Sequence, residues 1–180
     1  MTAPEFPHPV TLAEAAQGRS MALEADAGAR AAIAKRLGLL ELPRFALRAE
    51  VRAIAGGMAA QGVVEADVVQ SCAATGLPIS AHLSEPFDLR FLRDAGADMG
   101  AELGATEEEI EIGSADCDIL PLENDRIDLG EAAVQTLSLA LDPFPRHPDA
   151  DRILAEKGVL SEEQAGPFAA LAQWRGKPGD

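Results

Sequence analysis

Cysteine and histidine are scarce in this 180-residue chain, two of the first and three of the second, so few constellations could carry nucleophilic or metal chemistry. Cys72 and His82 are the pair that could give an imidazole-activated thiolate, which requires hydrogen-bond reach between them. Alternation argues against it. Cys72 shares parity with apolar Val64, Ala66 and Val68, whereas His82 falls with Ser80, Ser84, Asp88 and Arg90, so the two side chains should point to opposite faces. Free cysteine is among the most buried residue types, and Cys72 reads as a core thiol. A zinc site drawn from Cys72, Cys117, His8, His82 and His147 would lack the paired cysteine spacing that marks such sites. Asp116 and Asp118 would face the same way on a strand, and two carboxylates suit acid-base work. Among 30 acidic residues, however, such a pair arises by coincidence. The chain has no G-x-G-x-x-G loop, no Walker A loop and no G-x-S-x-G elbow. The residues thus predict no catalytic group, no metal site and no cofactor. A small hydrolase using Cys72, or Asp116 with Asp118, is the alternative.

The element that positions Cys72 is the most legible part of the chain. From Arg44, apolar Phe45, Leu47, Ala49, Val51 and Ala53 alternate with Arg48, Glu50 and Arg52, the period of a half-buried strand. After Gly56 and Gly57 the parity switches to Val64, Ala66, Val68 and Cys72, with Glu65, Asp67 and Ser71 opposite. A two-residue Gly56-Gly57 loop accounts for the switch. It would set Leu47 opposite Ala66, Phe45 opposite Val68 and Arg48 opposite Glu65. A third strand follows the Thr75-Gly76 turn, with Leu77, Ile79, Ala81, Leu83, Phe87, Leu89 and Phe91 on one face.

Around this meander the signals are shorter. Residues 10–12 and 20–24 predict short strands, Met21 and Leu23 sharing a face of the second. Asp26 can cap a helix running through Leu37, with Ile33 and Leu37 on its apolar side and Gly38 as its stop. Residues 94–116 are rich in Gly, Ala and acid, which predicts a long acidic loop. Residues 117–122 predict a strand ending near Pro121. Asp128 stands three residues before Glu131, the capping-box spacing, and Ile127, Val134, Leu137 and Leu141 recur at helical intervals until Pro143. The proline-rich stretch 142–148 predicts an extended arm anchored by Phe144. A further weak helix is predicted over 161–174. The fold class expected is α+β: an antiparallel meander packed by two or three helices, as one domain over residues 1–149 with a peripheral helical tail over 150–180.

Charge is the strongest compositional fact, 15 Lys and Arg against 30 Asp and Glu for a formal −15. Residues 1–60 hold 7 basic and 6 acidic side chains, so the excess acid lies wholly downstream. Such a surface repels free nucleic acid, because phosphate affinity comes from Lys and Arg displacing counterions, and suits a basic protein partner. The only basic cluster is Arg30, Lys35 and Arg36 with Arg44, Arg48 and Arg52. Two cysteines fit a reducing cytoplasm, residues 1–10 show no signal peptide, and no window approaches the ~20 apolar residues needed to span a bilayer.

Three stretches carry a family resemblance. The first is Val64-Glu65-Ala66-Asp67-Val68-Val69-Gln70-Ser71-Cys72, followed by Pro78 and Ser84-Glu85-Pro86-Phe87. The second is Asp125-Arg126-Ile127-Asp128-Leu129-Gly130-Glu131, with Gln135 and Leu137-Ser138-Leu139. The third is Leu141-Asp142-Pro143-Phe144-Pro145-Arg146. In this order, over residues 6–149, they resemble the YceD family, the bacterial large ribosomal RNA subunit accumulation proteins. Many such relatives carry a second cysteine three positions after the first and a cysteine-rich C-terminal end. Here Thr75 takes that position and no cysteine follows Arg146, so any metal site of those relatives should be absent.

The resemblance implies a non-enzymatic cytoplasmic factor in ribosome biogenesis, needed for accumulation of the large-subunit (23S) ribosomal RNA. The residues suggest how: the span 85–142, with 16 acidic and 3 basic residues, would hold a basic ribosomal protein or a large-subunit assembly intermediate. Direct RNA contact would fall to Arg30, Lys35, Arg36 and Arg44. The motif positions are Gln70, Cys72, Arg126, Asp128, Glu131 and Arg146, and Asp128 and Glu131 have a plainer use as a helix cap. A general acidic chaperone is the remaining reading, and the oligomeric state is left open.

Overall fold

The structure is a computed structural model that describes residues 4–93 and 119–159. Its elements are β1 (Pro9–Thr11), α1 (Leu12–Ala15), β2 (Arg19–Glu24), α2 (Ala27–Leu37), β3 (Glu41–Ile54), β4 (Gly57–Ser71), β5 (Pro78–Leu92), β6 (Ile119–Pro121), β7 (Arg126–Asp128), α3 (Leu129–Ala140) and α4 (Ala150–Glu156). The fold is α+β. A five-stranded, mostly antiparallel sheet runs in the order β2-β3-β4-β5-β6, and β1 pairs with β7 in a separate two-stranded sheet. β6 lies parallel to β5, with Arg90 opposite Ile119. Two compact units are distinguished, Met1–Val69 with Ser80–Leu141, and Gln70–Ile79 with Asp142–Asp180.

In the first unit the alternation of β3 is realised from Phe45 to Val51: Phe45, Leu47, Ala49 and Val51 are buried, while Arg48, Glu50 and Arg52 are exposed, and Ala53, near the hairpin end, is exposed although its parity is that of the buried face. Val64, Ala66 and Val68 of β4 join them in one apolar cluster with Ile33 of α2 and Leu129, Val134 and Leu137 of α3. Fully burying each Val, Leu, Ile or Phe side chain among them contributes about 1.5–3 kcal/mol. β2 pairs antiparallel with β3, Met21 opposite Ala49 and Leu23 opposite Leu47, so the meander continues past the three strands expected.

The hairpin register differs from expectation. Phe45 stands opposite Ala66, Leu47 opposite Val64 and Arg48 opposite Val63, each two positions from the expected pairing. The loop is Ala55-Gly56, closed by Ile54 opposite Gly57, and Gly56 takes the positive φ of 78°. A shift of two preserves every face. The pairing of charges survives diagonally: the Glu65 carboxylate lies 3.0 Å from Arg44 and 3.6 Å from Arg48. Near its start β3 shifts register between Glu41 and Arg44, where Pro43 has no N–H for the ladder.

Helix ends follow side-chain chemistry. Asp26 accepts the Ala29 N–H at 2.8 Å, and Gly38 closes α2 in the left-handed region. Thr11 and Glu14 form a complete capping box on α1, so Leu12 begins a helix rather than ending a strand. In the second unit, the arm after Asp142 is irregular, as expected of its prolines. Phe144 does not anchor it, being 78% exposed. Three polar contacts do so instead: Gln70 Nε2 donates to the Asp142 carbonyl at 2.9 Å, the Ala73 N–H to the Pro145 carbonyl at 2.8 Å, and the His147 N–H to Cys72 Sγ at 3.3 Å. The short α4 falls at the start of the stretch expected to be a helical tail, ahead of the helix expected over 161–174. The acidic loop over 94–116 and the helix over 161–174 lie outside the described residues.

Candidate functional site

The basic cluster is the first place to look for a nucleic-acid contact, and the fold pairs part of its charge with carboxylates. Arg36, on the last turn of α2, grips Glu131 of α3 with two bonds, Nη2 to Oε1 at 2.6 Å and Nη1 to Oε2 at 2.8 Å, and reaches Glu5 at 3.0 Å. These two carboxylates hold its guanidinium firmly in the charged form. Arg44 is paired with Glu65, and Arg30 donates from Nη1 to the Ala25 carbonyl at 2.7 Å. Of the four, only Lys35 makes no ion pair or hydrogen bond among the described residues, and it is exposed. The hollow beside it, about 1000 Å³, is lined by Lys35 and Arg36 but also by Glu5, Asp128 and Glu131. Its acids outnumber its bases, so it does not favour a phosphate.

Asp128 is the hinge point of the second motif stretch. Its Oδ1 accepts three backbone N–H groups, from His8 at 2.9 Å, Gly130 at 3.0 Å and Glu131 at 3.3 Å. It caps α3 and ties down the chain leading into β1. Glu131 does not complete a capping box. Its carboxylate goes to Arg36 and to Gln135 Nε2 at 3.0 Å, and Arg36, then Gln135, hold it below the usual glutamate range against the opposing effect of burial. Gly130 is required here: a Cβ would stand 1.5 Å from the Phe6 carbonyl oxygen. Phe6 itself packs edge-on against Phe45, ring centres 5.6 Å apart. Arg126 sits in β7 opposite Thr11.

Gln70 and Cys72 belong to the second unit, where both hold the proline-rich arm. Cys72 is 2% exposed, as its parity indicates. Its thiol is nevertheless pushed down to about 7, first by the Thr75 side chain and then by the His147 amide, both hydrogen-bonding to sulfur. The Thr75 hydroxyl, three residues on, thus serves the thiol directly. The His147 ring does not serve Cys72 as a base: its Nδ1 accepts the Asp149 N–H at 3.1 Å. Arg146 pairs with Asp151 at the start of α4. In the first unit His82 turns its Nδ1 to Asp67, 2.7 Å away. Sequence reading missed the roles of Thr75, Glu5 and Gly130, although a threonine three residues past a cysteine and a glycine inside a capped first turn are visible signals.

Asp116, Asp118 and Cys117 lie outside the described residues. Among those described, no three His, Cys, Asp or Glu side chains are grouped to hold a metal ion, and no helix is long and apolar enough to cross a membrane. Comparison of the chain with protein-family models, curated proteins and solved structures found no match.

Proposed function

We propose that this chain is a non-enzymatic cytoplasmic factor in large ribosomal subunit assembly, supporting accumulation of the 23S ribosomal RNA by holding a basic ribosomal protein or assembly intermediate. The YceD resemblance directs the reading to the ribosome. The observation that favours a protein partner over free RNA is the commitment of Arg30, Arg36 and Arg44 to acceptors within the fold. With Arg36 and Arg44 ion-paired and an overall charge of −15, attraction to a cationic protein surface outweighs attraction to phosphate. The sequence of residues 94–118 adds nine carboxylates and no basic residue to that balance.

Binding the full chain to separated large-subunit proteins and to 23S fragments, at several salt concentrations, tests this directly. A basic large-subunit protein should bind and weaken as salt rises, while free RNA should not bind. Deleting the gene should lower 23S relative to 16S RNA, and an unchanged ratio would refute the ribosomal role. One observation favours a second reading, the lowered pKa of Cys72, which is what a thiol hydrolase needs. Its burial and the absence of a ring nitrogen at sulfur among the described contacts weigh against that chemistry.

A further inference from the structure

The two edges of the main sheet are built differently. β6 at one edge has three residues and ends on Pro121, a short strand with an imide, both of which discourage further pairing. β2 at the other edge has six, and its central four, Ser20, Met21, Ala22 and Leu23, include neither a charge nor a proline. Its hydrogen-bonding direction can be read from the ladder. Ala25 N–H donates to the Phe45 carbonyl at 2.9 Å, in line with the register that sets Leu23 opposite Leu47 and Met21 opposite Ala49. Antiparallel pairs alternate between bonded and non-bonded, so the odd residues of β2 bond to β3. The two-residue loop agrees: Ile54 opposite Gly57 closes it as a bonded pair, which leaves the odd residues of β3 for β2. The N–H and C=O groups of Ser20, Ala22 and Glu24 therefore point away from the sheet, and they have no backbone partner among the described residues.

We propose that the β2 edge is a self-pairing surface, through which two copies of the chain join antiparallel about a two-fold axis at Ala22. A two-fold axis normal to the sheet pairs even positions with even ones and keeps each face in place. In the register centred on Ala22, Ala22 meets Ala22 of the second copy and Ser20 meets its Glu24. All three outward residues then donate and accept, closing about six backbone hydrogen bonds. Met21 meets Leu23 twice on the core face, where both side chains are only half-buried in the single chain. Small Ser20 and Ala22 leave the other face unobstructed. Electrostatics allow the contact, because residues 1–60 are balanced, 7 basic against 6 acidic, whereas the acidic remainder would repel its own copy. The product is a continuous ten-stranded sheet.

Native mass measured by light scattering, from low-micromolar to sub-millimolar full-length protein, tests the pairing. We expect a concentration-dependent dimer that persists as salt is raised. Ala22→Pro, which removes an outward N–H and leaves the β3 bonds intact, should weaken it by about tenfold or more. Ala22→Lys, which sets two like charges against each other at the axis, should do the same at low salt. Circular dichroism checks that both variants fold. Hydrogen exchange of the unaltered chain reads the edge without any substitution: the Ser20, Ala22 and Glu24 amides should be slow at high concentration and fast on dilution. A wild-type chain that stays monomeric throughout overturns the proposal. So does a dimer that survives in both folded variants, or slow exchange at those amides in the monomer, which would mean that the chain covers its own edge.

Discussion

Arg36 and Glu131, 95 positions apart in sequence, meet through two hydrogen bonds of 2.6 and 2.8 Å that fasten α2 to α3. The same contact removes Arg36 from the set of cations open to phosphate. A residue that looked like a nucleic-acid contact is thereby a structural clamp; Arg44 is likewise ion-paired, to Glu65, while Arg30 donates only to a backbone carbonyl.

Replacing Glu131 by Gln should destabilise the fold by about 1 kcal/mol at neutral pH, the scale of a partly exposed, charge-assisted pair. The folded Glu131 carboxyl lies below its ordinary value of 4.5, chiefly through Arg36. Its contribution is therefore complete above 4.5 and is lost as pH falls through the lower, folded value. Urea unfolding of wild type and variant should show a gap that closes in acid. A gap independent of pH would remove the ion pair as its source.

Gly130→Ala should behave against helix propensity, which favours Ala by about 1 kcal/mol. The added methyl would stand 1.5 Å from the Phe6 carbonyl oxygen, and at Gly62 it would stand 2.0 Å from that of Arg48. Both substitutions should cost about 2 kcal/mol or more as backbone is displaced. Gly28→Ala is the milder comparison, meeting only the Asp26 side chain at 3.3 Å, and it should cost less than either. Thermal midpoints decide: an unchanged midpoint for Gly130→Ala would contradict the close approach.

Cys72 should label slowly in the native protein and quickly once unfolded, because burial rather than protonation limits it. Its native labelling should titrate near 7, and Thr75→Val should move that midpoint up towards the ordinary 9.0. Since the folded value is the lower one, stability should increase from pH 7 to 9 and the gain should be lost as pH falls through about 7. Cys72→Ala should flatten that profile. Fast native labelling at neutral pH would revive the nucleophile reading.

Lys35→Glu reverses the one candidate cation that has no partner among the described residues, so it changes charge without disturbing a clamp. If RNA phosphates were touched at this position, the salt slope of association would fall by about 1. We expect no change in binding to large-subunit precursors, and a clear loss would point to direct RNA contact.

Much of the fold is legible from pattern because burial acts on faces. Alternation in β3 and β4, the Asp26 cap and the Gly38 stop are local signals with local causes, and they hold. The hairpin register was not legible in the same way. Moving the loop from Gly56-Gly57 to Ala55-Gly56 shifts the pairing by two, which leaves every residue on its face, so hydrophobicity is indifferent to the choice. Gly57 is spent on a tertiary demand instead: a Cβ there would stand 1.8 Å from the Phe91 carbonyl oxygen. The candidate site suffered the same limit. Charge type and position marked Arg36 and Arg44 as a cluster, but only the fold brings Glu131 to Arg36 across 95 residues. Cys72 shows the converse, since its parity foretold its burial while the Thr75 and His147 bonds that tune it depend on the turn and the returning arm.

The measurement that bears most directly on an acidic assembly factor is sucrose-gradient sedimentation of cell lysate at low and moderate salt, following this protein against large-subunit precursors. We expect it to travel with the precursors at low salt and to leave them as salt rises. If it stays at the top of the gradient at every salt concentration, a stable place on the assembling particle is contradicted.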